Sequence, residues 1–199
     1  MLFRSTGKMW GHLHEDVLPD IMTVSKHFGA GLPISAVCTT AEIADRAVAN
    51  GYFATRSHAC DPIACAAGVA SIDIVLEERL PERAAAIETR IKTAISAMAQ
   101  RYDFIGDVRG RGVLLGIELV EDRATGKPAN DMTREAVRQC EARGLLVQAR
   151  GSHSRNNVVR LVPPMVTSDS EIDQGLAILD DVFVSLARGR AEAKGIAAE

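Results

Sequence analysis

The chain has 199 residues, enough for one large domain or for a larger and a smaller one. Its 47% hydrophobic and 25% charged residues are typical of a globular protein with a sizeable core. The net charge of −3, without a basic stripe, argues against nucleic-acid binding and against electrostatic binding to a membrane surface. No apolar stretch reaches the roughly 18 residues of a membrane span, and the first residues do not resemble a secretory signal. Cys38, Cys60, Cys65 and Cys140 lack metal-type spacing, so we expect free thiols and a cytoplasmic location.

The first elements in chain order are two short strands and a helix. Apolar residues predict strands over 20–25 and 35–39, separated by the glycine-rich segment HFGAGLP. Thr40 is a typical N-cap for the helix AEIADRAVAN, which Gly51 ends.

Two long helices follow a polar loop. Asp61 is a predicted N-cap with Pro62 at the first helical position, where proline fits. The helix PIACAAGVASIDIVLEE is almost entirely small and apolar, so we expect it to be buried. Pro81 begins a second, amphipathic helix, whose apolar residues at helical spacing are Ala85, Ile87, Ile91, Ile95 and Met98.

Near residue 103 the sequence changes from helical spacing of apolar residues to a pattern typical of strands. FIGDVRGRGVLLGIELVED predicts two strands around a turn at Gly110 and Gly112. A helix over 132–143 ended by Gly144, and strands in LLVQA and NVVRLVPP, come next. Ser168 and Glu171 form a capping box for the last helix.

Lys26 stands where the first apolar strand ends, directly before the glycine-rich segment. Open α/β sheets bind ligands at the carboxyl ends of strands, where partial desolvation makes an amine a better nucleophile. The alternative is a solvated lysine at the edge of a strand.

Ser57 and His58 lie in the polar loop before the helix that follows Asp61. Backbone N–H groups and a hydroxyl at the start of a helix can bind a phosphate. An ordinary capping loop is the alternative.

Arg160 lies in the middle of an apolar strand, between Val159 and Leu161. An arginine is costly to bury there unless a carboxylate or phosphate pairs with it. The pattern therefore predicts either a ligand-binding arginine or an internal salt bridge. Arg109 and Arg111 are predicted to be exposed turn residues.

Four segments in this order resemble the class III (subgroup II) aminotransferases, which are pyridoxal-phosphate enzymes of fold type I. The segments are PDIMTVSKHFGAGLPISAV, SHACDPIACAAGVASIDIV, GDVRGRGVLLGIELV and NVVRLVPPMVTSDSEIDQGL. The resemblance extends from about residue 6 to about residue 186. It implies an α/β fold in which a large cofactor-binding domain is followed by a small α+β domain.

The resemblance also implies roles for individual residues. Lys26 would form the Schiff base with pyridoxal phosphate and move the substrate's proton. Ser57 matches a hydroxyl that binds the cofactor phosphate and that, in the family, comes from the neighbouring subunit. Arg160 matches the arginine that binds the substrate α-carboxylate. The implied substrates are amino acids and 2-oxo acids, and the implied assembly is a homodimer or a higher oligomer.

Within the family, Cys60-Asp61-Pro62 replaces the more common Gly-Asn-Pro. This tripeptide, with SKxxGAGLP and VRGRGVLLGIELVEDRATGKPA, resembles the 2,2-dialkylglycine decarboxylases, which decarboxylate a disubstituted amino acid and then transaminate a 2-oxo acid. It implies a potassium site formed by Ser57, the Ala59 carbonyl and Asp61, since hard oxygen ligands suit such a cation. The alternatives are that Asp61 is only an N-cap and that the enzyme is an ordinary ω- or acyl-amino-acid aminotransferase.

The resemblance divides the chain at 102/103. Residues 1–102 correspond to the C-terminal part of the large domain with its connecting helices, and residues 103–199 to the small C-terminal domain. The rest of the large domain, with the aspartate that pairs with the pyridinium nitrogen, would precede Met1, so the resemblance implies a truncated large domain. An inactive fragment, or half of a split enzyme that acts by associating with a partner chain, is the alternative function.

Overall fold

A computed structural model describes residues 3–53, 57–150 and 156–193. The chain has an α/β fold that divides into two compact units, Met1–Arg83 and Ala84–Glu199. The boundary between these units falls within the helix Leu80–Arg101. The two domains predicted from the sequence meet at 102/103 instead, and their assignment to parts of an enzyme stays a prediction. Within the described ranges, no helix is both long enough and apolar enough to cross a membrane.

The first unit contains a two-stranded antiparallel sheet. Its strands are β1 (Ile21–Val24) and β2 (Ala36–Thr39), which confirm the two predicted strands to within one residue at each end. A 3₁₀ helix, Lys26–Gly29, follows β1 after a single residue.

A second 3₁₀ helix, Gly11–His14, precedes the sheet, and two α-helices follow it. Helix α1 (Ala41–Ala49) begins after the predicted N-cap Thr40, whose hydroxyl accepts a hydrogen bond from the Ile43 N–H at 3.3 Å. Helix α2 (Pro62–Glu77) has its proline in the first turn, as predicted.

The expectation that α2 is buried is wrong for the described chain. Its buried residues in the structure are Gly68, Ser71 and Val75, whereas Ile63 is 77% exposed. The helix packs one side against the 3₁₀ helix, where the Ser71 hydroxyl donates to the His27 carbonyl at 3.3 Å. A helix that is apolar on all sides favours burial, but here only one of its sides meets a described element.

The second unit is built on an antiparallel sheet with strand order β3-β4-β7-β6, and a short fifth strand pairs with β4. The strands are β3 (Ile105–Arg111), β4 (Leu114–Asp122), β5 (Lys127–Pro128), β6 (Gln148–Arg150) and β7 (Val158–Leu161). The predicted turn is confirmed at Gly112, whereas Gly110 belongs to β3 and pairs with Leu115. Gly110 has a φ of +130°, and a Cβ there would lie 2.0 Å from the Leu114 carbonyl oxygen, so only glycine fits.

Three helices, α3 (Leu80–Arg101), α4 (Asn130–Ala142) and α5 (Asp169–Ala193), accompany this sheet. The apolar stripe of α3 is confirmed except at Ala85, which is exposed, because the buried alanine of that turn is Ala84. The predicted capping box begins α5: the Glu171 carboxylate accepts from the Ser168 N–H at 2.7 Å, and the Ser168 hydroxyl accepts from the Glu171 N–H at 3.3 Å.

Candidate active site

Lys26 is the first residue of the 3₁₀ helix and is exposed. Its φ of +61° lies in the left-handed region, which costs an L-residue roughly 1–2 kcal/mol. The side chain lines a cleft of about 350 Å³ together with Ser25 and residues 32–35. In the described parts of the chain its amine has no hydrogen-bond or ion-pair partner, so it is open to a ligand in that cleft.

The glycines near Lys26 permit the close packing that holds this segment. A Cβ at Gly29 would lie 2.4 Å from Ile34 Cγ2, and a Cβ at Gly68 would lie 3.4 Å from Ile34 Cδ1. The HFGAGLP loop therefore folds tightly back on itself, and the middle of α2 lies against it. Because Ser71 also bonds to the residue after Lys26, α2 fixes the backbone that carries the amine.

The loop before α2 carries the predicted phosphate and potassium ligands. Ser57 and Ala59 are exposed, and residues 54–56 lie outside the described chain. Asp61 occupies the N-cap position but makes no side-chain capping bond. Instead, its carboxylate accepts a hydrogen bond from His58 Nδ1 at 2.8 Å. The predicted N-cap is thus confirmed in position only, because the Asp61 carboxylate binds a side chain of the loop and not a backbone N–H of the helix.

Arg160 lies on β7, directly opposite Gly116 of β4 and Gln148 of β6. Its neighbours Val159 and Leu161 are buried in the core, so strand alternation puts Arg160 on the other face of the sheet. The side chain is half-buried, and it forms no ion pair or hydrogen bond with any residue that the structure describes. The internal salt bridge that the sequence left open is therefore absent from the described chain.

Arg109 has a role that the glycine-rich pattern concealed. It lies within β3 rather than in the turn, and its Nη1 donates to Asp107 at 2.7 Å and to Glu118 at 2.6 Å. The Arg109 guanidinium is the main reason that the pKa of Glu118 is lowered. The available sequence signal was the pair of opposite charges on Arg109 and Glu118, which are diagonal neighbours in the hairpin, but recognising the pair requires the strand register to be known.

Asn157 was also missed. It is 2% exposed, and its Nδ2 donates to the Leu119 carbonyl at 2.9 Å and to Glu118 Oε1 at 3.1 Å. The backbone carbonyl of Asn157 accepts a hydrogen bond from the Leu119 N–H at 2.7 Å. These bonds tie the chain to β4 three residues before Arg160.

The structure distributes the predicted site residues between its two units. Lys26, Ser57, Ala59 and Asp61 belong to the first unit, and Arg160 belongs to the second. In the described ranges, no three or more His, Cys, Asp or Glu residues are grouped to hold a metal ion. A potassium site of hydroxyl, carbonyl and a single carboxylate is of another kind, and it stays a prediction.

Known proteins resemble the chain over most of its length. A family model described as aminotransferase class-III matches residues 3–183. The 5-aminovalerate aminotransferase DavT of Pseudomonas aeruginosa is 36% identical over 182 residues, which are 92% of this chain and 42% of that protein.

Solved structures give the same picture. A Bacillus anthracis aminotransferase aligns with a TM-score of 0.85 at 32% identity, covering 92% of this chain and 42% of the other. An amine transaminase from an uncultivated Pseudomonas species, solved in its PLP-bound internal aldimine form, aligns with a TM-score of 0.81 at 27% identity, with coverage of 92% and 42%. The chain thus spans less than half the length of these proteins.

Proposed function

The chain belongs to the class III aminotransferase family, and from this premise we propose that it carries the cofactor lysine and the substrate-binding arginine of a pyridoxal-phosphate-dependent aminotransferase. Its α/β fold is that of fold type I transferases over the part that it spans. The proposed substrates are an amino acid and a 2-oxo acid.

The residues present fit the cofactor. A cofactor aldehyde requires a free amine, and Lys26 offers one that no described residue engages, at the end of a strand and in a cleft. The Ser57 hydroxyl precedes a helix N-terminus, where phosphate is favoured. Pyridoxal phosphate, when bound, supplies an electron-withdrawing ring that stabilises negative charge at the substrate α-carbon.

The chain's own residues then have distinct tasks. The Lys26 amine holds the cofactor and moves the substrate's proton. The Arg160 guanidinium binds the α-carboxylate through paired N–H···O bonds, which set the orientation of the amino acid. Since Arg160 lacks a described internal partner, its charge is available for that carboxylate.

The observation that carries the proposal is the unpartnered Lys26 amine in its cleft. Titration of the protein with pyridoxal phosphate should produce an absorption change that saturates, and Lys26→Ala should abolish it. Lys127→Ala is the matched control, because that lysine is exposed and pairs with Glu121 at 2.6 Å. Equal uptake by Lys26→Ala and the control would reject Lys26 as the cofactor lysine.

A finer proposal is decarboxylation of a 2,2-dialkylglycine, and the Cys60-Asp61-Pro62 tripeptide supports it. With 2-aminoisobutyrate and pyruvate, a decarboxylase releases carbon dioxide, whereas an ordinary aminotransferase that is active on other donors does not. The accompanying potassium site at Ser57, Ala59 and Asp61 predicts that replacing potassium by sodium alters activity and that Asp61→Asn removes the difference.

The second candidate is a chain that acts only through association with a partner, as an inactive fragment or as half of a split enzyme. The exposed apolar side of α2, including Ile63 at 77% and Val69 at 60% exposure, favours it. Failure of the purified protein to take up pyridoxal phosphate, with uptake restored by a partner chain, would support a split enzyme.

The described cysteines are free thiols, and we place the protein in the cytoplasm on that basis.

A further inference from the structure

Arg160 belongs to a row of four residues across the sheet of the second unit. The register aligns Arg109, Gly116, Arg160 and Gln148 on β3, β4, β7 and β6. Directly opposite residues of antiparallel strands point to the same face. Gly116 places no side chain of its own between the two arginines. The Val158 side chain of the next row leans over this glycine, since a Cβ at Gly116 would lie 2.9 Å from Val158 Cγ1.

Two carboxylates share this face in the next row. Asp107 and Glu118 are directly opposite each other on β3 and β4. Glu118 lies two positions along β4 from the residue that pairs with Arg160. Such diagonal neighbours are about 7–8 Å apart, which is within reach of long side chains. A half-buried arginine beside this carboxylate would be expected to pair with it.

Arg109 is the residue that occupies both carboxylates. Its Nη1 lies 2.7 Å from Asp107 Oδ2 and 2.6 Å from Glu118 Oε2. The other oxygen of Glu118 accepts from Asn157 Nδ2 at 3.1 Å. Glu118 therefore has partners on both oxygens, while Arg160 has none in the described chain.

The side chain beside Arg160 on β6 also has a hydrogen-bond partner. Gln148 lies directly opposite Arg160 on β6, and its side-chain carbonyl accepts a hydrogen bond from Arg150 at 3.1 Å. The acceptors beside Arg160 on both adjacent strands are thus already engaged.

We propose that Arg109 is a positioning residue for substrate: by holding Asp107 and Glu118, it keeps the Arg160 guanidinium unpaired and available for a substrate carboxylate. The inference rests on the proposed function, in which Arg160 binds that carboxylate. Without Arg109, Glu118 would pair with Arg160, and a substrate would have to displace it.

The exchange of partners can be observed without substrate or cofactor. The Glu118 carboxyl is titrated by ¹³C NMR in the full chain, in Arg109→Gln and in Arg109→Gln/Arg160→Gln. We expect the pKa of Glu118 to stay below its ordinary value in Arg109→Gln, since Arg160 replaces Arg109, and to rise in the double variant. An equal rise in both variants would overturn the proposal. Should Arg109→Gln fail to fold, Arg109→Met, which removes the charge but keeps a long side chain, takes its place.

The consequence for binding is measured with pyruvate as the carboxylate probe, using the Arg160 Nε–H resonance as the signal. Arg109→Gln should weaken pyruvate binding about tenfold, a coupling of the size found between charged neighbours. Arg109→Gln/Glu118→Gln should restore it, because the competing carboxylate is gone. A merely structural role for Arg109 predicts no such rescue.

A control and one further variant separate this proposal from the proposed function. Arg138→Gln removes a guanidinium that pairs with Glu135 at 2.6 Å on α4, and it should leave pyruvate binding unchanged. If Arg160→Gln binds pyruvate as well as the wild type does, the assignment of Arg160 to the carboxylate fails. The Glu118 titration then still decides whether Arg109 keeps the two charges apart.

Discussion

At the scale of single residues, three residues other than glycine near the proposed site have left-handed backbone conformations, one of them Ala30 with a φ of +50°. Lys26 and Cys60 both have a φ of +61°. Strain of this kind is concentrated at functional positions, where surrounding packing maintains it. At Lys26 the packing of α2 supplies that support, whereas Cys60 lies in the exposed loop before α2.

We therefore predict that Cys60→Gly stabilises the chain. Glycine adopts this φ freely, and relief of the left-handed cost outweighs its greater freedom in the unfolded state. The expected gain in the free energy of unfolding is about 0.5–1 kcal/mol, measured by urea denaturation. Cys60→Ala keeps the Cβ and should show no gain. A loss of stability in Cys60→Gly would mean that the thiol, not the backbone, matters there.

At the scale of elements, periodicity predicted most of the helices and strands, because capping residues and glycines marked their ends. The capping box at Ser168 and the hairpin turn at Gly112 are local features that a few neighbouring residues determine. The network around Arg109 was not predictable in this way. It depends on which residues of β3, β4 and β7 face one another, and that register is set by tertiary packing.

The junction of α3 and α5 gives a prediction on pH. The Tyr102 hydroxyl donates to Asp180 at 2.8 Å, and burial together with this bond raises the pKa of Tyr102 to about 12. The unfolded chain loses this phenolic proton at lower pH than the folded chain does. The stabilising contribution of the group is therefore complete below its ordinary pKa and is lost as the pH rises toward 12.

The measurement compares the free energy of unfolding of the wild type with that of Tyr102→Phe from pH 9 to pH 12, in about half-unit steps. The wild type should lose stability relative to the variant over the upper part of this range. Parallel curves for the two proteins would contradict the assigned hydrogen bond.

At the scale of the whole molecule, the main departure from sequence reasoning is α2. Its composition predicts a buried helix, and the amino acids themselves carry no information on which molecule buries it. In the described chain one side packs on the segment that follows β1, and Ile63 and Val69 remain exposed. The composition of α2 thus indicates a preference for burial, which the described residues satisfy on one side of the helix only.

We predict that the exposed apolar side of α2 drives association of the chain with a second copy or with a partner chain. Ile63→Ser should reduce self-association, or binding to a partner chain, in sedimentation velocity experiments. It should change the free energy of unfolding of the isolated chain by less than about 0.5 kcal/mol, since the residue is exposed. Ile95→Ala is the contrasting variant: that side chain is 0% exposed, and its truncation should cost about 2–5 kcal/mol. Unchanged association in Ile63→Ser would exclude this side of α2 as an interface.

The proposed function requires that this chain bind pyridoxal phosphate covalently through Lys26. Incubation of the 199-residue chain with the cofactor, borohydride reduction and peptide mass spectrometry test it directly. We expect a single reduced cofactor adduct on the peptide that contains Lys26, and none on that peptide in Lys26→Ala. No adduct in the wild type, or an adduct spread over other lysines and unchanged in Lys26→Ala, would contradict it.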